Sequence, residues 1–172
     1  MMNYKEGLNQ VNTFIFDVDG VLTDGDVYFI KDEAVRKLNS RDGYALQYAA
    51  KKGYKIFVIT GGYSQNIKDR LETLGATAVY LQAKNKEVVF DEICSTYGVN
   101  PKECLYMGDD IPDLGVMKKV LVATCPYDAA TELKAMAHYV SPCKGGRHAV
   151  RDVIEQTMRN QGTWMQEDAL DW

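Results

Sequence analysis

Short apolar runs alternate along the chain with segments whose apolar residues recur every three or four positions. The runs are typical of buried strands, and the second spacing is typical of amphipathic helices. The predicted strands are Thr13–Phe16, Lys55–Ile59, Ala78–Leu81, Cys104–Met107, Val120–Ala123 and Tyr139–Val140. Helical spacing lies between them, as at Ile67, Leu71 and Leu74, and again from residue 150 to residue 157. This alternation predicts an α/β fold, a doubly wound, Rossmann-like parallel sheet with helices on both faces.

One segment, residues 26–38, breaks this alternation. Its pattern predicts a β-hairpin insertion with strands at Val27–Ile30 and Val35–Leu38, joined through residues 31–34. A two-stranded hairpin is marginally stable alone, so its apolar side chains need a surface to cover. That surface is either the rest of the same domain or other copies of the chain.

Length and composition narrow the class of protein. A chain of 172 residues suits one domain with a sizeable core, so we expect residues 1–172 to form a single domain with a C-terminal tail from about residue 144. The net charge of −4 argues against a nucleic-acid partner. No apolar stretch is long enough to suggest a membrane partner, and the first twelve residues have no signal-like pattern. The four cysteines lack a C-x-x-C spacing, which favours reduced thiols and a cytoplasmic location.

Two carboxylates, Asp17 and Asp19, follow the first predicted strand one residue apart. Strand alternation would place them on one face, where like charges repel and burial makes each ion costlier. A hard cation such as Mg²⁺ removes both problems, and the first carboxylate could then act as a nucleophile. A surface turn is the alternative interpretation of this motif. A calcium loop is excluded because Val21 and Leu22 stand where further oxygen ligands should lie.

A second acidic cluster follows a later strand in the same manner. Gly108, Asp109, Asp110 and Asp113 come after Cys104–Met107. The carboxyl ends of parallel strands meet at one edge of a sheet, so Asp109 can reach the ion predicted at the first cluster.

Three residues between the two clusters complete the pattern. Thr60 and Gly61 follow the strand Lys55–Ile59, and Lys86 opens the next helical segment. A hydroxyl, an exposed amide, a cation and carboxylates suit phosphoryl transfer. For Lys86 the alternative is a solvated helix residue.

These motifs resemble those of the haloacid dehalogenase superfamily of phosphatases. The resemblance runs from about Thr13 to Arg151 and includes the motifs Asp17-Val-Asp19, Thr60, Lys86 and Gly108-Asp-Asp-x-x-Asp113. Further stretches resemble its small capless subfamily of sugar-acid phosphatases: Leu22-Thr-Asp-Gly25, Asn39-Ser-Arg-Asp-Gly43, Asn85-Lys86 and Gly145-Gly-Arg-His-Ala-Val-Arg151.

The resemblance implies a role for each catalytic residue. Asp17 would be the nucleophile and Asp19 the acid–base residue, with Thr60 and Lys86 holding phosphoryl oxygens together with the Gly61 amide. The cofactor would be Mg²⁺. Its implied ligands are the Asp17 side chain, the Asp19 backbone carbonyl and Asp109, with Asp110 and Asp113 supporting them.

The resemblance also implies a substrate, 3-deoxy-D-manno-octulosonate 8-phosphate, hydrolysed to the free sugar acid in lipopolysaccharide sugar biosynthesis. The implied substrate contacts are Asp19, Asn39, Ser40, Arg41, Asp42, Gly43, Gly61, Gly62, Arg70, Lys86 and Arg147. The family usually has arginine where Gly62 stands and often where Gln47 stands, so two cations near the substrate are missing. Arg70 could equally be a helix-surface residue, and Arg41 could form a salt bridge instead of clamping a carboxylate.

Two other functions and one assembly remain as hypotheses. The alternative substrate is a nine-carbon keto-sugar-acid 9-phosphate, although that group has glutamate at the position of Gly62. The alternative from another functional class is a non-catalytic oligomerisation module. The chain keeps every catalytic position, which argues against this alternative. In the family four hairpins meet and each active site is closed by a neighbour, so the resemblance implies a homotetramer.

Overall fold

Six of the strands form one parallel sheet, and the other two form a separate antiparallel hairpin. The structure, a computed structural model, describes residues 3–31 and 33–171. In these ranges the strands are β1 (Thr13–Phe16), β2 (Tyr28–Ile30), β3 (Glu33–Val35), β4 (Lys55–Ile59), β5 (Ala78–Tyr80), β6 (Cys104–Met107), β7 (Val122–Cys125) and β8 (Tyr139–Val140). The helices are α1 (Tyr4–Leu8), α2 (Ser40–Lys51), α3 (Gln65–Thr73), α4 (Lys86–Tyr97), α5 (Leu114–Met117), α6 (Thr131–Met136) and α7 (Ala149–Asn160).

The parallel sheet has the order β5-β4-β1-β6-β7-β8 and carries a hydrophobic core on each face. Alternation along β1 points Phe14 and Phe16 into the core under α1, α2, α3 and α7, whereas Ile15 points into the core under α4, α5 and α6. The chain adds strands on one side of β1 and then crosses to the other side. The predicted doubly wound α/β fold is therefore confirmed. None of the helices within the described ranges is long and apolar enough to cross a membrane.

Strand β7 lies two residues later than the sequence pattern predicts. The amide of Val120 still donates to the carbonyl of Val116 at the end of α5 (3.3 Å), so Val120 belongs to a helical turn. Thr124 and Cys125 are buried and pair with Tyr139 and Val140 of β8. Pairing with the next strand, which no local pattern reveals, sets the end of β7.

The predicted hairpin is present, but its strands are shorter and begin and end at different residues than predicted. Tyr28 pairs with Val35 and Ile30 pairs with Glu33, so the second strand begins at Glu33 and ends where the prediction begins it. Asp32, in the predicted turn, lies outside the described residues. Among the described strands β2 and β3 pair only with each other, and their apolar side chains, Tyr28, Phe29, Ile30 and Val35, are exposed.

Most of the predicted C-terminal tail is part of the domain core. Helix α7 packs on α2 and buries Val150, Val153 and Ile154. The chain then returns to α2, where Trp164 packs edge-on against Tyr48 and the Tyr48 hydroxyl donates to Asp168 (3.1 Å). Deleting the segment from residue 144 would therefore expose the core.

Candidate active site

The predicted catalytic residues meet at the carboxyl edge of the sheet. Strand β1 lies between β4 and β6, and Phe16 is level with Val58 and Met107. Because Asp17, Thr60 and Asp109 each lie just beyond one of these strands, the strand register brings them to one place. They line a cavity of about 470 Å³ whose other walls are Asp19, Gly25, Gly61, Gly62, Ala83, Lys84, Lys86, Asp110, Pro112 and Asp113.

Asp17 is held in one orientation by two donors. Its Oδ1 accepts a hydrogen bond from the Val18 amide (2.7 Å), and its Oδ2 forms an ion pair with Lys86 Nζ (2.8 Å). Burial raises the pKa of Asp17, and the Lys86 ammonium opposes that shift. The Asp17 carboxylate is thus fixed at the base of the cavity. Its ion pair with Lys86 offsets only part of the effect of burial on its pKa.

Lys86 is buried between two carboxylates. Asn85 caps the first turn of α4 by accepting hydrogen bonds from the Glu87 and Val88 amides, which starts the helix at Lys86. Its Nζ lies 2.8 Å from Asp17 and 2.7 Å from Asp113. Burial lowers the pKa of Lys86, but the two carboxylates outweigh burial and raise it. The alternative interpretation, a solvated helix residue, is therefore wrong.

Asp113 holds the second acidic loop together. It is fully buried, and its Oδ1 accepts from Lys86 Nζ and from the Tyr106 hydroxyl (2.5 Å). Its Oδ2 accepts from the amides of Asp109 (3.0 Å) and Asp110 (3.2 Å). Four donors occupy both oxygens, so Asp113 supports the loop that presents Asp109 to the cavity.

The carboxylates of Asp17, Asp109 and Asp113 offer oxygen atoms within 4.8 Å of one another. Burial, followed by the charges of Asp17 and Asp113, raises the pKa of Asp109 to about 7. One ammonium does not balance three carboxylates, and an all-oxygen donor set is the kind that Mg²⁺ prefers. Because four donors occupy Asp113, the side chains with free lone pairs for a cation are those of Asp17 and Asp109.

Gly20 makes this approach of the two acidic loops possible. Its φ is +81°, and a Cβ atom there would lie 1.9 Å from Asp109 Oδ2. A larger residue would push Asp109 away from Asp17 and strain the backbone.

The loop after β4 presents a hydroxyl and an exposed amide to the same cavity. The Thr60 amide donates to the Tyr80 carbonyl (3.0 Å), and the Thr60 carbonyl accepts from Ala83 (2.9 Å). Thr60 Oγ1 also accepts from the Gly62 amide (3.1 Å). These contacts fix the loop, leaving the Thr60 hydroxyl proton and the Gly61 amide for an anion.

Arg36 is a residue of this site that sequence reasoning missed. Its guanidinium binds both oxygens of Asp19, with Nε 2.5 Å from Oδ1 and Nη2 3.1 Å from Oδ2. No motif in the sequence identifies Arg36 as a site residue. The neighbouring Lys37 carries the same charge but pairs with Asp24 instead. Only the path of the chain after β3 distinguishes the two.

Most of the predicted sugar contacts lie away from this cavity within one chain. Arg41 lines a separate cavity of about 390 Å³ beside α7, and Arg70 lines one of about 240 Å³ beside the hairpin. Asn39 caps α2 by accepting from the Arg41 amide (2.9 Å), and Ser40 begins that helix. Arg147 is exposed and is not among the residues that line the catalytic cavity.

Asp42 has a different role from the predicted one. Its side chain is only 1% exposed and accepts hydrogen bonds from the amides of His148 (3.2 Å) and Arg151 (2.8 Å). It therefore caps the first turn of α7 instead of facing substrate. The neighbouring Gly43 is also buried, and a Cβ atom there would lie 3.4 Å from Leu74, so it serves helix packing.

Comparisons with known proteins identify the family of the chain. A family model described as haloacid dehalogenase-like hydrolase matches residues 40–120. The 3-deoxy-D-manno-octulosonate 8-phosphate phosphatase KdsC of Escherichia coli (strain K12) is 36% identical over 153 residues, which cover 88% of this chain and 81% of that protein.

Solved structures are similar over nearly the whole chain. The phosphatase of the same name from Yersinia pestis has a TM-score of 0.90 and 33% identity, covering 94% of this chain and 88% of the other. The one from Moraxella catarrhalis, in complex with a magnesium ion, a phosphate ion and a KDO molecule, has a TM-score of 0.90 and 25% identity, covering 95% of both chains. The chain therefore belongs to the haloacid dehalogenase-like hydrolases, in the family of the 3-deoxy-D-manno-octulosonate 8-phosphate phosphatases.

Proposed function

We propose that the protein is a Mg²⁺-dependent phosphatase that hydrolyses 3-deoxy-D-manno-octulosonate 8-phosphate. The observation that carries this proposal is the meeting of Asp17, Asp19, Thr60, Lys86 and Asp109 in one cavity, in a chain 36% identical to KdsC. The complex of magnesium, phosphate and KDO in the Moraxella catarrhalis relative supports the same ligands for this site.

The first step transfers the phosphoryl group to the enzyme. A carboxylate oxygen of Asp17 forms a bond to phosphorus as the bond between phosphorus and the sugar oxygen breaks. Asp19 gives its proton to that leaving oxygen. Lys86, the Thr60 hydroxyl and the Gly61 amide hold the phosphoryl oxygens in line. When bound by Asp17, Asp109 and the Asp19 carbonyl, Mg²⁺ supplies positive charge that neutralises the phosphoryl oxygens.

The second step releases phosphate. Asp19, now a carboxylate, takes a proton from a water molecule whose oxygen attacks phosphorus. The bond between phosphorus and Asp17 breaks, which restores both side chains to their starting states.

A substrate panel tests the proposed function. Phosphate release would be measured from 3-deoxy-D-manno-octulosonate 8-phosphate, a nine-carbon keto-sugar-acid 9-phosphate and p-nitrophenyl phosphate. We expect the highest kcat/KM on the eight-carbon compound. A preference for the nine-carbon compound would contradict the proposed substrate. Release from none of the three would favour the non-catalytic module.

Mg²⁺ binding should be needed for activity and should weaken as the pH falls. EDTA should abolish turnover and Mg²⁺ should restore it, whereas Ca²⁺, which tolerates higher coordination numbers, should not. Asp109 must be ionised to bind the cation, and its pKa is raised to about 7. A proton therefore competes with the metal below that pH. Isothermal titration should show the affinity falling about tenfold from pH 8 to pH 6. A constant affinity over this range would contradict the role of Asp109.

The proposed assembly is a homotetramer joined through the hairpin. Phe29 is 80% exposed on one face of the hairpin, and Tyr28, Ile30 and Val35 are exposed on the other face. Exposed apolar side chains on both faces of a hairpin are typical of a segment that packs against another protein surface. A neighbour packed there would also bring further residues toward the cavity, where one chain supplies few contacts for a sugar acid.

Phe29→Asp should dissociate the assembly, because each interface would bury an unpaired charge. Multi-angle light scattering should show a smaller species, and kcat/KM on the sugar-acid phosphate should fall at least about tenfold if neighbours complete the site. Val88→Asp is the matched control, since Val88 is 61% exposed on α4 and lies outside the hairpin. An unchanged assembly, or a monomer with full activity, would contradict the shared site.

We infer a reducing, cytoplasmic location from the thiols. All four cysteines are free, and burial raises the pKa of Cys104 to about 12 and of Cys125 to about 11. Free thiols are typical of proteins in reducing compartments, where disulfides rarely persist.

A further inference from the structure

The Asp19 carboxylate is clamped by a side chain outside the catalytic motifs. Arg36 binds both of its oxygens, at 2.5 Å and 3.1 Å. The Arg36 side chain is only 7% exposed, so the pair is shielded on one side from competing water. Two parallel hydrogen bonds from a planar guanidinium fix the direction of a carboxylate more strongly than one contact does.

The guanidinium also lies against the loop after β4. A Cβ atom on Gly62 would lie 2.9 Å from Arg36 Nη2 and 3.3 Å from Asp19 Oδ2. Glycine at this position leaves the space that the guanidinium uses. Arg36 thus binds Asp19 in one loop, lies beside Gly62 in the loop that carries Thr60, and follows directly after β3 of the hairpin.

We propose that Arg36 is a positioning residue that orients Asp19 for proton transfer. Because Arg36 follows the hairpin, the position of the hairpin would then determine the orientation of Asp19. This inference rests on the proposed function. To act as the acid, Asp19 must carry its proton on one oxygen and direct it at the leaving oxygen of the substrate, while Arg36 holds the other oxygen. Its side chain is one-third exposed, and without the clamp it can turn into solvent. A shift of the hairpin would move the guanidinium and with it the carboxylate.

A leaving-group series separates this role from a structural one. Aryl phosphates whose phenols range from good to poor leaving groups would be hydrolysed by the wild type, Arg36→Met and Arg36→Lys. These esters carry no sugar carboxylate that Arg36 could bind. A poor leaving group needs the proton from Asp19, whereas p-nitrophenolate leaves without it. Loss of orientation should therefore affect phenyl phosphate far more than p-nitrophenyl phosphate.

We expect Arg36→Met to lower kcat/KM on phenyl phosphate at least about tenfold more than on p-nitrophenyl phosphate. Arg36→Lys, which can hold one oxygen, should fall between Arg36→Met and the wild type. Lys37→Met is the matched control, because the exposed Lys37 pairs with Asp24 outside the cavity, and its series should match the wild type.

An equal loss on all esters in both Arg36 variants would overturn the proposal, since a structural role lowers every rate alike. A rise in KM at constant kcat would also overturn it and assign Arg36 to anion binding. If Arg36→Met fails to fold, Arg36→Lys alone must show the selective loss. If the wild type hydrolyses no ester, the proposed function is overturned as well. If the wild type is active and the variants show the same leaving-group dependence, only the role of Arg36 is overturned.

Discussion

Asp17→Asn should lose at least about 10³-fold in kcat and keep its fold. An amide oxygen is a poor nucleophile, so the covalent step is removed. The fold should persist because Lys86 retains its contact with Asp113 (2.7 Å). The asparagine oxygen can also still accept from the Val18 amide. Phosphate release and thermal unfolding measured on the same preparation check both expectations.

Asp26→Asn is the matched control for this substitution. Asp26 is an exposed carboxylate beyond the catalytic turn and lies outside the residues that line the cavity. We expect its kcat to stay close to that of the wild type. An Asp17→Asn protein that is folded and retains more than about a thousandth of the activity would exclude Asp17 as the nucleophile.

Lys86→Met should remove turnover and destabilise the metal-free protein by about 3 kcal/mol or more at pH 8. The ammonium compensates two buried carboxylates, and removing one partner of a buried ion pair leaves the other uncompensated. Mg²⁺ should recover part of the lost stability because it restores positive charge near Asp17. Lys84→Met is the control for stability, since Lys84 is exposed and a surface change should shift the free energy of unfolding by less than about 0.5 kcal/mol.

The pH dependence of this loss has a definite sign. Burial already raises the pKa of Asp17, and losing the ammonium raises it further. The folded state then binds more protons than the unfolded state, so stability rises as the pH falls. The stability difference between Lys86→Met and the wild type should therefore shrink from pH 8 toward pH 6 in chemical denaturation. A difference that grows over this range would contradict uncompensated carboxylates as its cause.

The sheet and the catalytic cluster could be predicted because their signals are local. Each strand run ends at its polar residue, and parallel pairing then brings Asp17, Thr60 and Asp109 to one edge whatever the intervening segments do. Lys86 was predicted from its place at a helix start. Its two carboxylate partners follow from the same strand order.

Contacts that depend on the path of loops could not be predicted. Asp42 looked like a substrate residue, but α7 packs across α2 and takes its carboxylate as a cap. No local pattern distinguishes Arg36 from other cations of the hairpin, and only the return of the chain after β3 places it on Asp19. The bounds of β7 likewise depend on pairing with β8, a distant strand.

The most direct test of the account is to trap the phosphoryl group on the enzyme during turnover. The wild type would be mixed with 3-deoxy-D-manno-octulosonate 8-phosphate and Mg²⁺, quenched in acid within one turnover, and digested for mass spectrometry. The account predicts a phosphoryl group on the peptide that contains Asp17, and none in the Asp17→Asn protein. Phosphorylation of another residue, or rapid turnover with Asp17 unmodified at every quench time, would contradict it.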